Sequence, residues 1–218
     1  TPEGGSGNCN GIHLAKSNSN RLIDNIANSN DGTGIYLLDG NNNILDNNTA
    51  NYNNIQGMFL NSSSNNNLMN NNVSNNYAWC MVPGHACSGF YGVNLENSNN
   101  NELVNNTINK NGESGIQFTE SDDNTIKGNH LSNYWYGIIL SNTDSNLIYN
   151  NYFNNTYNVK LEYSNTNNKF NTTKTEGTNV ISGPSIGGNY WANPNGTGFS
   201  QNCEDKDNDG ICDSSYHI

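Results

Sequence analysis

A glycine followed by an apolar, any-residue, apolar triplet recurs at Gly11, Gly34, Gly57, Gly92, Gly115 and Gly137, at intervals of 23, 23, 35, 23 and 22 residues. Counted from each glycine, apolar residues fall at offset one (Ile12, Ile35, Met58, Val93, Ile116, Ile138) and offset three (Leu14, Leu37, Leu60, Leu95, Phe118, Leu140). An apolar residue at every second position is the period of a strand with one buried face. Offset eleven (Leu22, Leu45, Leu68, Leu103, Ile126, Ile148) and offset sixteen (Ala27, Ala50, Val73, Ile108, Leu131, Phe153) predict two further short strands per repeat. Such a unit is too short to bury a core alone, so each copy must be one rung of a stacked array. The pattern predicts an all-β parallel β-helix of about seven rungs of 22–23 residues, the seventh irregular (Val159, Leu161, Phe170). It spans residues 11–182, after a lead-in at 1–10 and before an irregular tail at 183–218. The growth of the offset-sixteen column from Ala to Phe predicts an interior that widens or repacks toward the C-terminus.

Asparagine supplies 53 of the 218 residues, a composition that by itself also fits a disordered polar tract. Its placement in columns decides for order: Asn20, Asn43, Asn66, Asn101, Asn124 and Asn146 share offset nine, and Asn25, Asn48, Asn71, Asn106, Asn129 and Asn151 share offset fourteen. Asparagine tolerates the left-handed backbone region and bonds amides above and below, which suits the corner between two strands.

A net charge of −11 with only eight Lys and Arg argues against nucleic acid or an anionic membrane surface as partner. No apolar run is long enough to span a bilayer. The chain starts at Thr1 instead of Met, which reads as a processed form or an excised domain. Five cysteines among small polar residues point to an oxidising, extracellular setting. The Asn-x-Ser/Thr sequons at Asn47, Asn61, Asn72, Asn105, Asn154, Asn171 and Asn195 are candidate glycosylation sites, although their number is what this composition supplies by chance.

The long third rung carries an inserted loop at 78–89. Inserted residues in a solenoid map to a protruding and often functional loop. A Cys80–Cys87 disulfide would staple it; alternatively Cys80, Met81, His85 and Cys87 form a soft ligand set of the kind copper takes. Near the C-terminus, Asp205, Asp207, Asp209 and Asp213, with Gly210 and the Ile211 carbonyl, follow the oxygen spacing of a calcium loop over 205–213. Tyr216 stands where an EF-hand has its bidentate Glu, so the segment resembles instead the loops of thrombospondin type 3 repeats or dockerins; a merely solvated acidic run is the alternative. Cys203 and Cys212 bracket this Ca2+ loop and are expected to pair. Cys9 is then left over, for an intermolecular disulfide or as a buried free thiol. Aromatics gather just before the repeat glycine: Trp79, Tyr91, Trp135, Tyr136 and Tyr157 could stack on sugar faces or simply on one another.

The run GIYLLDGNNNILDNN, from Gly34 to Asn48, resembles the NosD-like or CASH-type right-handed β-helix repeat, and GGNYWANPNGTGFSQNCEDKDNDGICD, residues 187 to 213, resembles the ending of β-helical surface proteins of methanogenic archaea. The resemblance implies a secreted cell-surface protein with S-layer-associated proteins and polysaccharide-degrading disaggregatases among its relatives. The copper association of the NosD name does not carry over to residues outside the inserted loop.

Two functions follow. As an enzyme, the protein would cleave a polysaccharide with a carboxylate pair drawn from Glu96, Glu120, Asp122, Asp123 and Asp144, but the cations a lyase needs (Lys16, Arg21, Lys110, Lys127, Lys160) scatter over different offsets. As a structural protein, its lead-in offers no amphipathic cap for the open sheet edge, and the tail aromatics Tyr190, Trp191 and Phe199 either cover the last rung or reach a neighbour. The sequence favours the second reading, a surface layer, sheath or fibre subunit that polymerises through its ends, with surface polysaccharide binding or cleavage as the alternative.

Overall fold

The computed structural model describes residues 9–77 and 89–218. Three parallel sheets run the length of the molecule. The first contains seven strands, stacked in chain order: Ile12–Ala15, Ile35–Leu38, Met58–Asn61, Tyr91–Glu96, Ser114–Thr119, Tyr136–Asp144 and Tyr157–Thr166. The second stacks six three-residue strands, from Arg21–Ile23 to Leu147–Tyr149. The third holds Thr107–Asn109, His130–Ser132, Tyr152–Asn154 and Tyr190–Ala192, while in the first turns this side is reduced to the single bridges Ile26 to Thr49, Thr49 to Asn72 and Asn72 to Thr107. The result is a right-handed β-solenoid of six turns, with a seventh strand on the first sheet.

Strand register is the same on either side of the insertion: Met58 pairs with Val93 and Leu60 with Leu95. Leu37, Leu60, Leu95, Phe118 and Leu140 are completely buried in one column. The offset-sixteen column is buried as well, and Trp191 extends its growth from Ala27 through Val73 and Ile108 to Phe153. The repeat glycine is explained by space. A Cβ on Gly57 would lie 2.1 Å from Val73 Cγ1 and 2.6 Å from Asn76 Nδ2, so the start of the first strand passes too close to the third side for any side chain.

The asparagine columns need one correction. The left-handed residue at each corner precedes the ladder Asn: Asn42, Asn65 and Asn100 have φ of 59°, 58° and 56°, and Asn47, Asn70 and Asn105 have φ of 53°, 55° and 54°. The next Asn points inward, where it is buried and hydrogen-bonded. Asn48, for example, donates its backbone N–H and its Nδ2 to Asn71 Oδ1 (2.8 and 3.0 Å) and Nδ2 again to the Leu22 carbonyl (2.9 Å). A third ladder, Asn30, Asn53, Asn76, Asn111, Asn133 and Asn155, does the same at the remaining corner. Buried corner amides are thereby satisfied in a core with little room for water.

The tail folds back on its own solenoid. Tyr190–Ala192 joins the third sheet beside Tyr152–Asn154, and Phe170, Phe199 and Tyr216 pack around Trp191. Of the two alternatives for the tail aromatics, covering the last rung is the one realised. The first sheet stays uncovered at this end, where Leu161 is 49% exposed.

Candidate functional site

Strand alternation puts every second residue of the first sheet outside. Cross-strand register aligns one outward row, His13, Tyr36, Phe59, Asn94, Gln117, Ile139 and Lys160. Its first three members form a continuous ring stack, His13 on Tyr36 at 4.8 Å and Tyr36 on Phe59 at 4.9 Å, with planes inclined by only 11° and 8°. Beyond Phe59 the row becomes polar and buried. Asn94 and Gln117 are each only 6% exposed, and Asn94 Oδ1 and Gln117 Oε1 have no hydrogen-bond partner.

The far end of the row is charged. Lys160 Nζ lies 2.6 Å from Glu162 Oε1 and 4.9 Å above the Tyr136 ring, which stacks on Tyr157 at 5.5 Å. Glu113 accepts the Gly89 N–H at 2.6 Å. Tyr91 belongs to the same group: burial, then the charges of Glu113 and Glu162, push its hydroxyl up to about 12. The hydrogen bond to Glu162 outweighs partial burial at Lys160 and holds the ammonium above its usual range. Tyr91 therefore remains a neutral donor and Lys160 a cation at physiological pH. The ring edges make one end of this face apolar, and Lys160 and Glu162 at the other end can exchange hydrogen bonds with a polyhydroxyl ligand.

Of the carboxylates expected from sequence, Glu96 is on an outward strand position, paired with Asn61 and Thr119, and Asp144 ends the strand Tyr136–Asp144, paired with Thr166. Asp122 accepts the Asp144 N–H and Asp144 the Thr166 N–H, both at 2.7 Å, so both serve a corner ladder that Asn18 and Asn41 occupy in earlier turns. Glu120 and Asp123 are exposed corner residues with φ of 48° and 56°. Glu113 and Glu162 carry the charge of the site instead. Sequence reading passed over them because only stacking brings their rungs to Tyr91.

The aromatic column is interrupted, since Ser114 stands between Tyr91 and Tyr136. Trp135 is 56% exposed, as are Tyr134 and Tyr157 to a similar degree. Trp79, the Cys80–Cys87 pair and the soft ligand set lie outside the described residues. Cys9 is exposed and free among the described residues, not buried. Asn47, Asn72, Asn105, Asn171 and Asn195 are exposed, Asn61 and Asn154 half-buried.

In the tail, Cys203 and Cys212 are disulfide-bonded. Asp205, Asp207 and Asp209 bring their carboxylates within 4.8 Å of one another. Asp205 accepts the Asp209 and Gly210 N–H groups at 3.1 and 2.9 Å. Lys174 pairs with Asp209 and lies 3.7 Å from Asp207. Asp213 turns instead to the Lys206 N–H, and Ile211 donates its N–H to Asp209.

The family model of the periplasmic copper-binding protein NosD matches residues 3–82 and 85–196. Among solved structures, the chain is similar to the periplasmic alginate epimerase AlgG (TM-score 0.59, 17% identity, 73% of this chain and 42% of that one). It is also similar to the A-module of the Azotobacter vinelandii mannuronan C-5 epimerase AlgE4 (TM-score 0.58, 15% identity, 73% and 47%). A third likeness is to the enzymatically active domain of bacteriophage CBA120 tailspike protein 2 (TM-score 0.54, 15% identity, 85% and 32%). The chain thus spans less than half the length of each, and at these identities the likeness is one of fold. No curated protein matches it in sequence.

Proposed function

The chain belongs to the NosD family of parallel β-helix proteins, and from that premise we propose that it binds a carbohydrate polymer along the outward face of its first sheet, outside the cytoplasm. The observation that carries this reading is the single outward row that begins as stacked rings at His13, Tyr36 and Phe59 and ends at Lys160 beside Glu162, Tyr136 and Tyr91. Stacked on one another, the rings at successive rungs present an apolar strip of edges, and the charged end supplies fixed donors and acceptors. The epimerases and tailspike named above are consistent with this in fold. The Cys203–Cys212 disulfide supports an extracytoplasmic, cell-surface setting. Copper is not adopted as ligand: the clustered metal-capable side chains among the described residues are three carboxylates, hard donors that suit Ca2+. We assign them to Ca2+, which would displace the Lys174 ammonium.

The test is affinity electrophoresis against a panel of soluble polysaccharides, with Tyr36→Ala and Phe59→Ala as variants. The expected result is retardation by at least one polymer, weakened about 2- to 10-fold by each substitution. A panel with no retardation at all would reject the reading. It would leave the assembly reading, which the exposed Leu161 at the open end of the first sheet and the exposed Cys9 at the other end favour. Light scattering under non-reducing conditions measures that alternative directly.

A further inference from the structure

A sugar stacks on the face of an aromatic ring, whereas the row from His13 to Phe59 presents edges. Open faces lie on the neighbouring corner, between the third and first sheets. Tyr134 and Trp135 follow the ladder residue Asn133 there and are 54% and 56% exposed. Trp135 makes no ring contact among the described residues, and a planar indole with over half its surface in water keeps a face open. Tyr134 meets Tyr77 edge to face, with centroids 6.3 Å apart and planes at 82°. Gly112, which follows the ladder residue Asn111 in the turn between them, puts no side chain in the way. The fold does not call for these rings: Asp31 and Asn54 follow the ladder residues Asn30 and Asn53 at the same corner of the first two turns, where Asn54 donates to Asp31 at 3.1 Å.

Resting on the glycan reading above, we infer that Trp135 and Tyr134 are the platform on which a pyranose of the bound polymer lays its C–H face, and that the binding track turns from the charged end of the first sheet round this corner. The corner is continuous with that end. Tyr157 donates its N–H to the Trp135 carbonyl at 2.8 Å and stacks on Tyr136, the ring beneath Lys160. Tyr136 in turn donates its N–H to the Glu113 carbonyl at 3.1 Å. Rings for the apolar face of a sugar thus stand beside Lys160 and Glu162 for its hydroxyls, and aromatic surface with a few placed polar groups is what orients a small ligand. A protein partner fits this surface less well. A stable interface buries roughly 800 Å² on each side, and three exposed rings, Tyr134, Trp135 and Tyr157, do not make such a core.

Calorimetry with cellohexaose, chitohexaose and hexamannuronate, together with affinity electrophoresis against the polysaccharide panel, tests the platform on parent and variant proteins. The parent is expected to bind at least one of these ligands. Trp135→Ala and Tyr134→Ala should each weaken that binding roughly 2- to 10-fold, and Trp135→Phe, which restores a ring, should keep most of it. Tyr52→Asn removes an equally exposed ring from the second turn, at a left-handed position that suits Asn, and should change nothing. All four variants should melt with the parent, because each ring stands largely in water. Parental affinity in folded Trp135→Ala and Tyr134→Ala proteins, with Tyr36→Ala or Phe59→Ala still weakened, would overturn the platform and leave the glycan reading intact. An equal loss in Tyr52→Asn would also overturn it, since any exposed ring would then serve. No binding of any hexasaccharide or panel polysaccharide by the parent would remove the glycan reading, and the platform with it.

Discussion

Trp191 lies face to face on Phe153, with ring centroids 4.7 Å apart and planes inclined by 16°. One ring belongs to the last complete turn and the other to the returning tail, so this contact closes the widening third side of the core. Without it, Phe153 would meet solvent at the end of an open column.

Trp191→Ala is therefore expected to destabilise the protein by about 3–5 kcal/mol, measured by urea unfolding followed by far-UV circular dichroism. Trp191→Phe, which preserves a stacked ring, should retain most of that stability. Equal stability of parent and alanine variant would show that the tail is not a cap.

Glycine at the head of each repeat provides a second, paired test. Gly57→Ala forces a methyl onto Val73 and should cost about 1–3 kcal/mol, whereas Gly188, with open space where its Cβ would stand, should accept alanine with little change. Adding Val73→Ala to Gly57→Ala removes the clashing methyl and should recover part of the loss. Additive effects in the double variant would separate the two positions.

Tyr91 predicts an alkaline limit. Its hydroxyl ionises near 12 in the folded chain and near 10 in an unfolded one, so the native state holds the proton more tightly. The stability this contributes is fully present below pH 10 and is lost as pH rises toward 12. Denaturation midpoints between pH 9 and 12 in parent and Tyr91→Phe proteins measure it: the variant should show the shallower fall.

For the tail, added Ca2+ is expected to raise the melting temperature and a chelator to reverse the rise. Asp207→Ala combined with Asp209→Ala should abolish the response. Lys174→Met should strengthen it, because the ammonium that competes for Asp209 is gone. A Ca2+ response that survives the double substitution would place the ion elsewhere.

Six near-copies of one rung make weak local signals add up, which is why the three strands, the inner Leu37 to Leu140 column and two asparagine ladders are legible in the sequence. The third ladder escapes because the fifth and sixth rungs shorten by one residue before Asn133 and Asn155, which blurs the column. Outward rows escape for a different reason. Pointing away from the core, His13, Phe59, Gln117 and Lys160 are under no common demand for residue type, so nothing repeats until cross-strand register aligns them. Asp122 and Asp144 show the converse: their charge suggests chemistry, while their position in the ladder needs only an acceptor oxygen.

The asparagine ladders also give the molecule a direction. Within each ladder the amide-to-amide bond runs one way, donor to the oxygen of the next rung, from Asn20 to Asn43, Asn25 to Asn48 and Asn30 to Asn53 onward. At the C-terminal end two of the last amides turn their donors to backbone carbonyls, Asn189 to Phe170 and Asn158 to Ala192. At the opposite end, Asn20, Asn25 and Asn30 keep Oδ1 atoms that no donor among the described residues fills. The two ends are thus unlike electrodes, and two first rungs brought together would set oxygen against oxygen. Whatever seals that end must arrive bearing hydrogen-bond donors.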